Sequence, residues 1–213
     1  MVGLGAVGSY AVEALARAGV GYLRLVDFDV IRLSNFNRQL YALEQNMNRQ
    51  KTEIARERVL QINPDCVIET RCALVNAANA AEMFLPPVDV LVDAIDSVGP
   101  KTALLAAAHV AGCPAISCMG AASRLEPELL RAADISETDI CPLARFIRKR
   151  LRRHGIKKGI KCIFSIEPVS PSRLPFYPET AILSKGRVRK PIGSLSYMTG
   201  IFGLRAAHEA LQV

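Results

Sequence analysis

Gly3-Leu4-Gly5-Ala6-Val7-Gly8, followed by an aspartate at position 27, is the stretch that decides the fold. The pattern G-x-G-x-x-G is typical of a turn from a strand into a helix where a nucleotide phosphate binds. The first glycine permits the tight turn, the second lets backbone N–H groups approach the phosphate, and the third allows close helix packing. Asp27 falls at the end of the next predicted strand, where a carboxylate can accept hydrogen bonds from ribose hydroxyls. The sequence therefore predicts a nucleotide-binding domain.

Strand and helix patterns alternate outward from this loop. Alternation predicts a mostly parallel sheet with helices on both faces, a Rossmann-like, doubly wound α/β fold. The first strand is central in this topology, yet it would end at Val2 with only Met1 before it, so we expect that the chain begins late. Further strands are predicted at 22–28, 67–72, 88–95, 115–119 and 162–167. Helices are predicted at 9–18, 49–62, 77–84, 100–111, 136–153 and 194–211, and a loop at 168–191.

Composition sets the class of protein. The chain has 213 residues, of which 50% are hydrophobic and 22% charged, the balance of one soluble globular core. The net charge of +7 suggests a polyanionic partner. Six cysteines without C-x-x-C spacing or a signal peptide favour a reduced, cytoplasmic protein and argue against structural zinc. The charge-free stretch 102–123 contains His109, Gly112 and Pro114, so we expect no membrane span.

A polar block follows Asp27 and argues against hydride transfer. Two cations, Arg38 and Lys51, near a phosphate site would neutralise a triphosphate and the charge that develops at its α-phosphorus, which an NAD-dependent dehydrogenase does not need. Asp96 ends the long apolar strand, and a carboxylate there suits a magnesium ion that bridges phosphates. The candidate nucleotide-binding residues are Gly3, Gly5, Gly8, Asp27, Asp29, Asn35, Arg38, Gln39 and Lys51, and the candidate catalytic residues are Arg38, Lys51 and Asp96.

Five elements in this order resemble the ubiquitin-activating-enzyme superfamily of ThiF-type adenylating enzymes. They are G-x-G-x-x-G, L-V-D-F-D at 25–29, S-N-F-N-R-Q at 34–39, Lys51 and D-A-I-D at 93–96. The resemblance implies ATP-dependent adenylation of a carboxylate. It places Asp27 on the ribose, Asn35, Arg38 and Lys51 on the phosphates, and Asp96 on Mg²⁺. The competing interpretations are surface charge for the two cations and a helix cap for Asp96.

Later motifs are similar to the tRNA threonylcarbamoyladenosine dehydratase branch of that superfamily. They are D-A-I-D-S with Lys101, the stretch 119–127, Asp134-Ile135 with 142–144, and 162–167. The resemblance implies cyclising dehydration of a modified adenosine beside the tRNA anticodon, through a carboxyl-adenylate. It also implies a homodimer and allows a sulfur-transfer accessory protein as a partner. In these terms 1–135 is the ATP-binding adenylation core, and 136–213 is an α/β extension that completes the same domain.

A basic segment gives independent support for a nucleic-acid partner. Nine cations fall within 145–161, with no acidic residue between Asp139 and Glu167. Such a density attracts a phosphate backbone, although a solvated face or a membrane-surface helix has the same pattern. The candidate tRNA-binding residues are Arg145, Arg148, Lys149, Arg152, Arg153, Lys157 and Lys158.

Two other functions stay open at this point. The substrate could be the C-terminal carboxylate of a ubiquitin-like or sulfur-carrier protein, although such activators usually carry the paired C-x-x-C motifs that this chain lacks. The domain could also bind a nucleotide without catalysis, because so little of the first strand is present. Cys141 and Cys162 are candidate acyl or sulfur acceptors, with core packing as the default interpretation.

Overall fold

The fold is a central sheet between two layers of helices. The computed structural model describes residues 1–168 and 193–213 and, between these ranges, only the backbone of two short strands. The helices are α1 Gly8–Arg17, α2 Lys51–Ile62, α3 Val98–Val110, α4 Pro142–Arg153 and α5 Ser196–Ala210. The strands are β1 Tyr22–Val26, β2 Val67–Arg71, β3 Leu91–Asp93, β4 Ala115–Cys118, β5 Leu130–Asp134, β6 Ile160–Ser165, β7 Ile182–Ser184 and β8 Arg187–Arg189.

Val2 joins two parts of the sheet. Its parallel bridges to Val26 of β1 and Asp93 of β3 connect the pair β2-β1 to the four strands β3-β4-β6-β5. All pairings among these strands are parallel except the one between β5 and β6. The carboxyl ends of the parallel strands therefore meet at one edge, where α/β proteins bind their ligands.

Each face of the sheet carries its own apolar layer. On one face, α1, α2 and α5 bury side chains such as Val12, Ile54 and Phe202 against the sheet. On the other, α3 and α4 bury Leu104 and Ile147. Alternate strand residues point to opposite faces, so the nearly continuous apolar strands feed both layers. The predicted doubly wound, mostly parallel α/β fold is confirmed.

Several element boundaries differ from the prediction. The predicted helix 136–153 starts at Pro142, because Asp134 accepts a hydrogen bond from Ser136 N and caps a separate 3-10 turn at Ile135–Glu137. The predicted helix 77–84 is only the 3-10 turn Ala80–Phe84. The alanine-rich strand β5 was missed because its pairing with β6, and not its own propensity, makes it a strand.

The segment predicted as a loop, 168–191, lies almost wholly outside the described residues. Within it, the backbone of β7 pairs antiparallel with that of β8. In the parts of the chain that the structure describes, the longest helix has 15 residues, and none is both long and apolar enough to cross a bilayer.

Two glycines let α5 lie directly on α1. A Cβ atom added to Gly203 would stand 2.4 Å from the carbonyl oxygen of Val7, and one added to Gly200 would stand 3.3 Å from Cε1 of Tyr10. The small residues that weaken the helix propensity of α5 therefore serve a close contact within the same chain.

We expect Gly203→Ala to destabilise the protein by about 1–3 kcal/mol, because the new methyl group would overpack the contact between α5 and α1. Gly99→Ala is the matched control, since Gly99 also lies in a helix but its nearest neighbouring atom to an added Cβ is 4.0 Å away. Urea unfolding checks both, and equal midpoints for the two variants would contradict the close contact.

Candidate functional site at the carboxyl edge of the sheet

The glycine loop packs against the segment that follows β3. Gly3 has φ +90°, and a Cβ atom there would stand 2.9 Å from the carbonyl carbon of Ala94. A Cβ atom on Gly8 would stand 1.8 Å from the carbonyl oxygen of Gly3, so no side chain fits at either position. Gly5 faces only the Nε2 atom of Gln39, 3.6 Å from an added Cβ. Gly3 and Gly8 thus serve close backbone packing, and Gly5 leaves the loop open beside Gln39.

Asp27 orders this loop. One carboxylate oxygen accepts a hydrogen bond from Leu4 N at 2.6 Å, and the other accepts one from Asp29 N at 2.9 Å. Asp27 is partly exposed at the end of β1, where the sequence placed it. Its predicted contact with a ribose stays a prediction.

The polar block beyond β1 turns back towards the glycine loop. The Asn35 side chain accepts a hydrogen bond from Arg32 N at 3.1 Å and closes the 3-10 turn Leu33–Asn35. Gln39 is buried beside Gly5, and its Oε1 atom is buried without a hydrogen-bond partner. A buried polar atom left unpaired costs about 1–3 kcal/mol, so Gln39 Oε1 indicates a place where a ligand donates.

The two predicted phosphate-binding cations have different environments. Lys51 is buried at the start of α2, and its Nζ lies 2.8 Å from a carboxylate oxygen of Asp29. Burial alone would raise the pKa of the Asp29 carboxyl, but the hydrogen bond and charge of Lys51 outweigh it and hold that pKa below its ordinary value. Arg38 donates to the carbonyl oxygen of Ser34 at 2.8 Å and to the side-chain oxygen of Asn37 at 2.6 Å.

Asp93 and Lys101 form a fully buried ion pair under the site. The Lys101 ammonium lies 2.8 Å from an oxygen of Asp93, and both side chains are 0% exposed. The same oxygen accepts a hydrogen bond from Ser117 of β4, while the other accepts one from Ile95 N at 3.0 Å. Lys101 also donates to the carbonyl oxygen of Ile95 at 2.9 Å. These bonds fix the course of the chain between β3 and α3.

Asp96 projects from that segment into solvent. It is exposed, and its only described hydrogen bond is from the hydroxyl of Ser97 at 3.2 Å. Ser97, not Asp96, occupies the N-cap position of α3, and its side chain makes no capping hydrogen bond, so the interpretation of Asp96 as a helix cap is wrong. Among the described residues no cluster of three or more His, Cys, Asp or Glu could hold a metal by itself. A magnesium ion here would therefore need the oxygens of a bound triphosphate beside Asp96, which is the usual arrangement for Mg²⁺.

The loop after β4 also reaches this edge, although the sequence predicts no role for its side chains. Ser123 N donates to Gly193 O at 2.9 Å, and the next residue, Ser194, accepts a hydrogen bond from the Asn37 side chain at 3.0 Å. The stretch 193–194 thus links this loop to the block that holds Arg38 and Gln39. Arg124, six residues beyond the end of β4, is 2% exposed, and no local sequence pattern distinguishes it from a surface arginine.

Helix α4 carries the basic face predicted to bind nucleic acid. Its apolar residues Ala144, Ile147 and Leu151 are buried, which turns most of the cations outward. Arg148 is different, because its guanidinium is partly buried and donates to the carbonyl oxygen of Thr138 at 2.6 Å and to the hydroxyl of the same residue. The exposed cations of the segment are Arg145, Lys149, Arg150, Arg152, Arg153, Lys157, Lys158 and Lys161.

The buried cysteines are poor nucleophiles. Burial raises the pKa of the Cys118 thiol to about 12 and also raises that of Cys162. Cys141 is 2% exposed, at the residue that precedes α4. All six thiols are free, and the interpretation of Cys141 and Cys162 as core residues fits their burial.

Comparison with known proteins places this geometry in a family. The ThiF family profile matches residues 1–213. The tRNA threonylcarbamoyladenosine dehydratase of Bacillus subtilis (strain 168) is 36% identical over 194 residues, which cover 91% of this chain and 72% of that protein. The crystal structure of the E. coli tRNA N6-threonylcarbamoyladenosine dehydratase TcdA in complex with ATP has a TM-score of 0.87 at 34% identity and covers 99% of this chain and 82% of its own. An adenylyltransferase and sulfurtransferase MOCS3 of Drosophila willistoni is 37% identical over 129 residues, 61% of this chain and 28% of that protein.

We expect Asp93→Asn to destabilise the protein by about 3–5 kcal/mol, because it leaves the Lys101 ammonium buried without a counter-charge. The double variant D93N/K101M removes both charges and should recover most of this loss. Urea unfolding of the wild type, the two single variants and the double variant measures the coupling. Additive effects of the two substitutions would show that the pair is not a unit.

Proposed function

The chain belongs to the ThiF family, and we propose that it activates a carboxylate with ATP, the carboxylate being that of threonylcarbamoyladenosine in tRNA. The observation that carries the proposal is a convergence at one sheet edge. The glycine loop, the buried side-chain oxygen of Gln39 and the exposed carboxylate of Asp96 lie at this edge, in a fold that matches an ATP-bound dehydratase over 99% of this chain.

The residues of the site have distinct parts in this proposal. The backbone of Gly3, Gly5 and Gly8 and the N-terminal end of α1 receive the phosphates, as helix N-termini do. Asp27 binds the ribose while it keeps the loop ordered. Arg38 and Lys51 neutralise the charge that develops at the α-phosphorus. The Lys51 ammonium is paired with the Asp29 carboxylate, so a phosphate would compete with this carboxylate for Lys51.

The reaction proceeds in two displacements. An oxygen of the threonylcarbamoyl carboxylate attacks the α-phosphorus of ATP, and pyrophosphate leaves, so that an acyl-adenylate is formed. The neighbouring carbamoyl group then attacks the activated carbonyl carbon, and AMP leaves as the ring closes, for a net loss of one water. Because the second attack is intramolecular, the protein needs to orient the groups and needs no nucleophile of its own. The burial of Cys118 and Cys162 fits this chemistry.

Mg²⁺ is part of the proposal, with Asp96 as its protein ligand. A bound magnesium ion would draw charge from the phosphate oxygens and make pyrophosphate a better leaving group. The exposed, sparsely bonded carboxylate of Asp96 suits such a role, and its nearness to the glycine loop follows from the contact of Gly3 with Ala94.

A protein carboxylate is the second candidate substrate. The similarity to a MOCS3 protein over 61% of this chain supports it. The absence of paired C-x-x-C motifs from the sequence and the basic face of α4 favour tRNA.

The assembly and location are proposals of the same kind. We propose that 1–135 and 136–213 form one domain in a cytoplasmic homodimer, with a sulfur-transfer accessory protein as an allowed further partner. Support for the dimer comes from three exposed apolar residues spaced by seven, Tyr197 and Leu204 in α5 and Leu211 directly after it, which form a stripe on one side of the helix.

Purified protein tests the reaction directly. We expect AMP and pyrophosphate only with tRNA that bears threonylcarbamoyladenosine, and nucleoside mass spectrometry should show the loss of one water. Asp96→Asn should lower the rate by about 100-fold or more, because it removes charge needed in the transition state, and should leave the melting temperature unchanged. Asp65→Asn, which removes another exposed carboxylate, is the control. AMP formation that requires a protein with a free C-terminus instead of tRNA would favour the second candidate.

We expect the exposed face of α4 to bind the tRNA backbone. The variant K149Q/R153Q should weaken tRNA binding and reduce the magnitude of the slope of log K against log salt by about 1.4–1.8. The reason is that binding releases fewer counterions when two phosphate contacts are lost. The control R56Q/R131Q removes two exposed cations elsewhere and should leave the slope unchanged. Binding is measured by fluorescence anisotropy between 50 and 200 mM salt, about the range over which such contacts are lost. An equal slope for both variants would contradict the assignment of this face.

A further inference from the structure

The loop after β4 contains buried polar atoms that the proposed roles do not use. Arg124 is 2% exposed, and its Nε and Nη1 atoms are buried without a hydrogen-bond partner. The hydroxyl of the preceding residue, Ser123, is buried and unpaired in the same way. A buried guanidinium without a partner is strongly unfavourable, so proteins retain one where a ligand supplies the missing acceptors.

These atoms lie beside the nucleotide site. The described part of the chain has four buried side-chain polar atoms without a partner, and they belong to Gln39, Ser123 and Arg124 alone. The stretch 193–194 accepts a hydrogen bond from Ser123 N on one side and from the Asn37 side chain on the other. All four atoms are therefore on two loops that touch the same two-residue link at the carboxyl edge.

The loop is held in place without help from its unpaired atoms. Backbone N–H groups of Leu125 and Glu126 donate to one oxygen of Glu167 at 2.8 and 3.1 Å. Tyr197 of α5 donates its hydroxyl to Leu125 O at 3.0 Å. Ser123 has φ +58°, a left-handed conformation that a serine rarely adopts and that persists only where the surroundings enforce it. The backbone that carries Ser123 and Arg124 is thus fixed before any ligand arrives.

We propose that Ser123 and Arg124 form an oxyanion subsite that binds a carboxylate or phosphate group of the reactants. The guanidinium supplies positive charge and unpaired N–H donors at Nε and Nη1, and the serine hydroxyl supplies a further donor. Charged N–H donors form the stronger hydrogen bonds to carboxylate and phosphate oxygens. The subsite rests on the proposed function for its ligand. The source of the oxyanion is either the substrate carboxylate or a phosphate of ATP.

Binding measurements separate these two sources. Calorimetry gives the Kd of ATP and of the nucleoside threonylcarbamoyladenosine, and the methyl ester of that nucleoside serves as a probe without the carboxylate charge. Arg124→Met removes the charge and the N–H donors at similar side-chain volume. Arg124→Lys keeps the positive charge but removes the planar guanidinium, and Ser123→Ala removes the hydroxyl donor. Arg131→Met is the matched control, because Arg131 is exposed on the neighbouring strand β5.

We expect R124M to raise the Kd of one of the two ligands by about tenfold or more, as for the loss of charge-assisted hydrogen bonds. R124K and S123A should give smaller losses for the same ligand, and R131M should give none. A loss confined to the nucleoside and absent for its methyl ester assigns the oxyanion to the carboxylate, and a loss confined to ATP assigns it to a phosphate. The melting temperature of R124M without ligand should be equal to or above that of the wild type, because a buried unpaired charge is gone.

Two results would overturn the subsite. One is wild-type affinity of R124M and S123A for both ligands. The other is a lower melting temperature of R124M with no selective loss of either ligand, which would make Arg124 a structural residue. Failure of the proposed function is a separate result, because it appears in the wild type as absence of AMP with modified tRNA, whereas the ATP measurement needs no turnover.

Discussion

The buried ion pair of Asp93 and Lys101 is the interaction on which the site depends. Both side chains are 0% exposed, and an isolated charge at such a depth would be strongly unfavourable. The pair is tolerated because Ser117 and the backbone of Ile95 satisfy the remaining donors and acceptors. Since these groups belong to β3, β4 and α3, the pair fixes the segment that carries Asp96 and that Gly3 packs against. This edge of the sheet is thus built on a polar junction in which every buried side-chain nitrogen and oxygen of the pair has a partner.

Both carboxylate oxygens of Asp93 have hydrogen-bond partners, in contrast to polar atoms of three other side chains at this edge. Gln39, Ser123 and Arg124 carry buried polar atoms without a partner. Because Arg124 is 2% exposed, solvent does not supply the missing acceptors of its guanidinium. A fold that keeps its internal polar groups paired and its ligand-facing groups unpaired stores the cost of those groups until substrate binding relieves it. Such preorganisation suits electrostatic catalysis, because the donors need no reorientation when charge develops.

Sequence patterns predicted the parts of the fold and site that depend on local chemistry. Glycine spacing, apolar runs and the acids at strand ends led to the doubly wound fold and to Asp27 and Asp96. Tertiary contacts decided the rest. Arg148 was grouped with the tRNA-binding cations, but its guanidinium bonds to Thr138, and nothing in the run of basic residues distinguishes it from its neighbours. Likewise, β5 is a strand because β6 lies beside it, and Arg124 is distinctive only through its burial, which no local pattern reports.

The placement of α4 explains how one chain could bind a large polyanion such as tRNA and act on a single nucleoside within it. A Cβ atom on Gly120, just after β4, would stand 3.9 Å from both Cys141 Sγ and Leu143 Cβ, so α4 begins at the carboxyl edge of the sheet. The helix has 12 residues and a length of about 18 Å, at 1.5 Å per residue, and it extends away from that edge. Its cations are concentrated towards the end that is far from the edge. A nucleic-acid backbone lying along the exposed face would be held at a distance from the reacting atoms, and only a protruding, unpaired nucleoside would reach the edge. Phe146 is half exposed within the first turns of this face, under the guanidinium of Arg145, where the backbone would pass on its way to the site. In the proposed function, the length of one helix would thus separate the cations that bind tRNA from the cations that act on ATP, so that the two sets of phosphates would not compete for the same cations.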